Sequence, residues 1–468
     1  AGYEPPPYSF LKRHELMNDH RLDAFDPAVR RQALSELAPG LLVSPPAQTD
    51  NVNLHFHSFF SYNAEGWSPS HIAVAARKAG LYAAGLCDFD VLDGLEEFLQ
   101  AGELLGLRST INLETRAYLR EYADHEISSP GEPGVTYIMG AGFARELPAG
   151  SPEALGLADL KDAAGRRNIE LIGRINPHVP DIAVDYAADV LPLTPLQGAT
   201  ERHIMRAYVN KAEQRFGTPD AIAAYWAELL GKSVEDVKGM LGKPSLEEAV
   251  RAKLAKKGGF GYVQPSEDTF PAVDDFVNWV LSCRAIPMVT WLDGTSSGES
   301  DARAMLECLT AKGCAALNII PDRNWNYSDP EKKALKVGKL TEMVEAADEM
   351  GLPINIGTEM NKAGLPFVDD LGGEVLSRFK DSFLRGARIM VGHTILLRYA
   401  GVSYVDDIIS RRSVRPEPTA IAEKNRFFES VGALPPLTTD VAKTLGNLGA
   451  TQSLTAIKEA AERGSWSA

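Results

Sequence analysis

Cysteine is scarce: Cys87, Cys283, Cys308 and Cys314 are the only four in 468 residues. They are too few and too scattered for a disulfide framework or a paired-cysteine metal knuckle, and they read as buried thiols of a reducing compartment. No stretch approaches the roughly 18 uninterrupted apolar residues that a membrane helix needs. Long basic runs are missing too. Lys and Arg number 48 against 63 Asp and Glu, and the net charge of −15 argues against nucleic acid or an anionic membrane as main partner. Lys256-Lys257-Gly258-Gly259 lacks the spacing of a phosphate loop or dinucleotide turn, and no G-x-S-x-G elbow occurs. No leader peptide is visible. Cytoplasmic is therefore the default location, although a chain beginning Ala1-Gly2 is compatible with a removed signal.

The composition that remains, 44% hydrophobic and 24% charged, is that of an ordinary globular protein and excludes wholesale disorder. Its length suits one large α/β barrel or two to three smaller domains. Residues 1–50, with Pro5-Pro6-Pro7 and Pro45-Pro46 around a charged helical middle, read as an N-terminal arm. After them, β-type runs alternate with helical patterns, as in parallel βα units. The expected strands are Val52–His57, Ala83–Asp88, Thr110–Glu114, Val135–Gly140, Glu170–Arg174, Pro287–Asp293, Ala315–Ile320, Ile354–Glu359 and Arg388–His393. Helix starts are signalled by Ser68-Pro69, by Thr218-Pro219 and by the capping box Ser245-Leu-Glu-Glu248. This rhythm predicts a barrel over about 51–400 whose site lies at the C-terminal ends of the strands. Residues from about 200 to 275 break the rhythm as a helical insertion, and 401–468 read as an outer helical layer.

The strongest local signal is Asn53-Leu-His55-Phe-His57, where alternation along a strand puts both imidazoles on one face. Such a pair is half of a metal site or, alternatively, two hydrogen-bonded histidines at a strand end. Thr110-Ile-Asn112-Leu-Glu114, Asn355-Ile-Gly357-Thr-Glu359 and Cys87-Asp88-Phe89-Asp90 add acids at other strand ends. Each acid alone is more often a helix cap or a loop salt bridge, so their joint placement is the informative part.

These residues resemble the PHP (polymerase and histidinol phosphatase) family. The likeness runs through His55-Phe-His57-Ser58, Trp67-Ser68-Pro69, Ala79-Gly80-Leu81, Asp88-Phe89-Asp90 and Gly94. It continues through Asn112-Leu-Glu114, Thr200-Glu-Arg202-His203-Ile204, the run from Gly258 to Val263, Arg284 to Trp291, and Gly351 to Asn361. The resemblance implies a distorted (β/α)7 TIM-like barrel with a helical insertion and extra terminal helices, and a cluster of divalent ions that hydrolyses phosphate esters. It also implies which ion survives. His55, His57, Glu114 and Glu359 stand at the ligand positions of one ion. A second ion would find Asn63, Phe89 and Asn361, and a third loses its histidine to Trp291.

The expected function is thus a metal-dependent hydrolase, phosphoesterase first, acting on a small anionic metabolite through a metal-activated water. One zinc, manganese or iron ion is expected, with a second short of ligands. Asp88 is a candidate general base or an acid that orients a histidine, with a helix cap as the alternative. Arg202 and His203 are candidate anion contacts, or solvated helix residues. His178, Asp293, His393 and Asp322 are placed as site residues could be, though loop caps explain them equally. The rival function is a decayed barrel that binds a ligand or partner without catalysis. Oligomeric state stays open.

Overall fold

In a computed structural model the described residues are 19–44, 46–411 and 417–466. Pro5–Pro7 and Pro45 of the expected arm fall outside them. Seven strands, β1 (Val52–Phe56), β2 (Ala83–Phe89), β3 (Arg108–Tyr118), β4 (Val135–Ala141), β5 (Ile286–Trp291), β6 (Ala316–Ile319) and β7 (Ile354–Ile356), form one sheet in sequence order. The sheet curls until its edges meet. Glu359, just past β7, donates its N–H to the His55 carbonyl at 2.8 Å and accepts from the His57 N–H at 2.9 Å. The result is a distorted, nearly closed barrel.

Polar side chains fill its interior because alternation sends one face of each strand inward. Asn53, Asn112, Asn318 and Asn355 are fully buried there and hydrogen-bonded, as burial of an amide requires. Asn53 Nδ2 donates to Thr358 Oγ1 at 2.7 Å, Asn112 Nδ2 to the Leu54 carbonyl at 2.7 Å and Asn355 Nδ2 to Asn318 Oδ1 at 2.8 Å. The opposite faces, with Leu54, Phe56, Leu86 and Val289, join the main hydrophobic core under the helices.

Three expectations need correction. β4 pairs antiparallel with both β3 and β5, so the βα alternation is broken once. The chain from Tyr118 to Val135 carries only a short 3-10 turn, too little for a parallel crossover. Glu170–Arg174 is the end of the helix Pro152–Ile175, where Leu171, Ile172 and Ile175 face inward at helical spacing. Arg388–His393 lies in the helix Lys380–Ile395, buried almost all round, which erases the polar face that distinguishes a helix in sequence. Of the helix starts, Ser68 caps through a bond from the His71 N–H at 3.1 Å, and Thr218 caps through the Ala221 N–H at 3.3 Å. The third helix begins one residue before the expected box, at Pro244, with no side-chain cap.

A second hydrophobic cluster lies apart from the main core. It joins Leu171, Ile172 and Ile175 to the helices Glu201–Phe216, Pro219–Leu230, Val234–Lys238 and Pro244–Leu254 around Tyr208 and Trp226. Ahead of the barrel, the helix Pro27–Val43 is locked down by Arg30, buried and paired with Glu97 at 2.6 Å. All four cysteines are free thiols. No helix among the described residues is long and apolar enough to cross a membrane.

His393, expected at a strand end, is buried mid-helix. Its Nε2 lies 3.0 Å from the Gly142 carbonyl and its Nδ1 accepts from the Tyr404 N–H at 3.1 Å, so the ring is neutral. Burial pushes its pKa down to about 4. A folded pKa below the unfolded value near 6.5 means the stabilisation is complete above about pH 6.5 and is lost as pH falls towards the folded pKa. The unfolding free energy from urea titration is therefore expected to fall between pH 7 and pH 5, by up to about 1.4 kcal/mol per pH unit from this group. His393→Gln should flatten that slope; an unchanged slope would assign acid sensitivity elsewhere.

Candidate metal centre and its cavity

β1 ends in two imidazoles that face the barrel interior beside Glu114 of β3. His55 and His57 are fully buried and Glu114 is 2% exposed. Each Nε2 lies 3.5 Å from the same carboxylate oxygen, Glu114 Oε2. Neither nitrogen nor that oxygen has a hydrogen-bond partner, an expensive state for three buried polar atoms. An ion bound at about 2.1 Å in tetrahedral geometry sets its ligand atoms about 3.4 Å apart. The three atoms thus converge as ligands around a common point. Among the described residues, this is the trio of His, Cys, Asp or Glu whose ligand atoms all lie within 4.8 Å of one another.

The histidines are held from behind. His55 Nδ1 lies 3.3 Å from Asn318 Oδ1, which already accepts from Asn355, so His55 supplies the proton there. His57 Nδ1 lies 3.3 Å from Ser61 Oγ, and that hydroxyl donates to Asp88 Oδ1 at 2.6 Å. Both arrangements leave Nε2 free to point at the centre. Burial opposes charge on His55, but Cys87 and Glu114 outweigh it and hold its pKa well above the usual range. Burial likewise opposes ionisation of Glu114, and the two imidazoles outweigh it and hold its pKa down. Loading an ion would displace a proton from this pair.

Asp88 accepts from the Ser58 N–H at 2.7 Å, from Ser58 Oγ at 2.7 Å and from Ser61 Oγ. Three bonds on two oxygens hold it behind His57, and burial raises its pKa. Phe89 stacks on His57, ring centroids 4.5 Å apart, and occupies space a ligand would need. Asn63 is spent on the local turn, donating to the His57 carbonyl at 2.8 Å and accepting from the Glu65 N–H at 2.8 Å. Glu359, with φ of +64°, lies outside the converging trio, and its carboxylate meets Arg323 Nη2 at 2.5 Å. It nevertheless lines the same cavity as Glu114.

That cavity holds about 480 Å³ and is walled by both strand ends and the helical segment. Phe89, Trp291, Asn361 and Arg202 line it. Arg202 donates to Glu248 at 2.6 Å and lies 5.4 Å from the Tyr62 ring. His203 is not part of the wall. Its Nδ1 accepts from the Thr200 N–H at 3.1 Å, closing the first turn of its helix, and burial pushes its pKa down to about 4. His178 is exposed and stacks on Phe260, and Asp293 pairs with Lys336. Asp322 accepts from Asn326 Nδ2 at 2.9 Å. None of these three belongs to the converging trio. Sequence reasoning passed over Arg323, which reaches Glu359, 36 residues further on, from the short helix Asp322–Trp325. It also passed over Arg116, although its place two residues beyond Glu114 on one strand face was a usable signal.

No family model matches the chain, and no curated protein is similar to it in sequence. Solved structures do resemble it. An amidohydrolase from Chromobacterium violaceum, with bound sulfate and no metal, aligns at a TM-score of 0.46 and 16% identity, covering 71% of this chain and 96% of its own. A protein described as a metal-dependent phosphoesterase from Bifidobacterium adolescentis aligns at a TM-score of 0.44 and 20% identity, covering 72% of this chain and 98% of its own.

Proposed function

We propose that this protein is a metal-dependent hydrolase of the PHP type acting on a small anionic metabolite, with a phosphomonoester as the leading substrate. The observation that carries this reading is the convergence of three buried, otherwise unpartnered ligand atoms of His55, His57 and Glu114, the last of which also lines a substrate-sized cavity. A divalent zinc, manganese or iron ion held there would make a bound water acidic and polarise a substrate oxygen. His55 and His57 present their Nε2 atoms because Asn318 and the Ser61–Asp88 pair occupy the other ring nitrogens. Glu359, steered by Arg323, is the fourth member of the set and its second acid, and Arg202 supplies positive charge at the wall. Phe89, stacked on His57, takes the place where a second ion would need a ligand. A cytoplasmic location goes with this reading and with the four free thiols.

Elemental analysis of untagged protein purified without chelator tests it. About one transition-metal ion per chain is expected, together with phosphomonoester hydrolysis that chelation abolishes and the same ion restores. Close to three ions would mean that the ligands taken as lost are replaced by others. If zinc and manganese both fail to bind, the decayed, ligand-binding barrel becomes the better account.

A further inference from the structure

The cavity carries the opposite charge to the protein around it. The chain has a net charge of −15, yet the cavity lining carries eight Lys or Arg against six Asp or Glu. The cations gather on one wall, beyond the metal centre. Arg116 leaves the same face of β3 as Glu114, about 7 Å further along. Arg167, from the helix Pro152–Ile175, meets it at Phe270, the two guanidinium carbons lying 4.3 and 5.0 Å from that ring. Arg251 and Lys256 share Glu201 at 2.6 and 3.2 Å. Asp90, Glu132, Glu201 and Glu248 are the carboxylates paired with these four cations.

The pairing is incomplete at Arg167. Its closest carboxylate oxygen, on Asp90, is 3.7 Å away, beyond hydrogen-bond reach, and no described residue accepts a hydrogen bond from its guanidinium. Two guanidinium groups thus share one ring, and one of them keeps donors that no described residue takes up. A planar fork with free N–H groups matches the oxygens of a phosphate.

We propose that Arg116, Arg167, Arg251 and Lys256 form a second anion subsite that takes a phosphate group, so that the substrate carries a phosphate remote from the bond being cleaved. The subsite stands on its own geometry, and only the step that one molecule reaches both places rests on the hydrolase reading. The test is calorimetric titration of inorganic phosphate into chelator-treated full-length protein at low ionic strength. Arg167→Gln and Lys256→Gln are each expected to weaken phosphate binding roughly tenfold or more, while the double change His55→Gln, His57→Gln leaves it unaltered. The Lys256 side chain is 48% exposed, so its variant reports even if Arg167→Gln folds poorly. Phosphate binding that ignores both changes, or that vanishes with the histidines, overturns the subsite. The two readings separate cleanly. Phosphate affinity that responds to the variants in a protein that takes up no ion keeps the subsite and removes the hydrolase; the converse removes the subsite alone.

Discussion

Glu114→Gln is expected to reduce retained transition metal from about one ion per chain to background and to slow phosphomonoester hydrolysis roughly 10³-fold or more. The amide keeps the size of the carboxylate but loses its charge. Glu114 Oε2 stands 3.5 Å from both imidazole nitrogens, so a single substitution removes the point at which the three donors meet. The fold should survive, because the hydrogen bonds that hold His55 and His57 run to Asn318 and Ser61 rather than to Glu114. Ser61→Ala is the graded companion. It cuts the link between His57 and Asp88 without touching a ligand, and affinity should fall only 10- to 100-fold, roughly the range for groups that orient ligands. Metal content by mass spectrometry after gel filtration, with a melting curve alongside, reads both. Full metal content in the Glu114→Gln protein would remove the proposed centre.

Gly357→Ala should destabilise the protein by roughly 3 kcal/mol and weaken the metal centre in the same stroke. A Cβ at this position would sit 2.4 Å from Asn53 Oδ1, 2.5 Å from His55 Cβ and 2.6 Å from the His55 nitrogen. No side-chain rotation relieves a clash with backbone, so β1 and the segment after β7 must part. That segment is where the barrel closes, through the two bonds between Glu359 and the His55–His57 stretch. Parting them breaks the closure, strains the Asn53–Thr358 bond and displaces His55 from its partners. Urea unfolding combined with metal analysis checks the coupling. A protein with a normal midpoint and a full complement of metal would show that the closure is softer than these distances imply.

The histidine pair, the acids at strand ends and most barrel strands were legible because their signal is local. Alternation along an extended strand depends only on neighbours, so Asn53, His55 and His57 share a face in any fold that extends them. The same reasoning failed where burial is symmetrical. Between Arg388 and His393 every residue is buried because the helix carrying them is packed on almost every side, and no clear period of two or 3.6 residues survives to tell helix from strand. Glu170–Arg174 was misread for a related reason, a short apolar run at the end of a long helix.

At the site, the sequence by itself determined which residue types could ligate and that Phe89 could not. Only the tertiary structure decided which atoms converge. Asp88 is fixed behind His57 because Ser58 and Ser61 fold back onto it. His203 closes the first turn of its own helix, and Glu359 meets Arg323 of a separate short helix. Those outcomes depend on contacts between segments distant in the chain. A hydrogen bond or ion pair is settled by separations of tenths of an ångström, and residue order constrains such separations only through the complete fold.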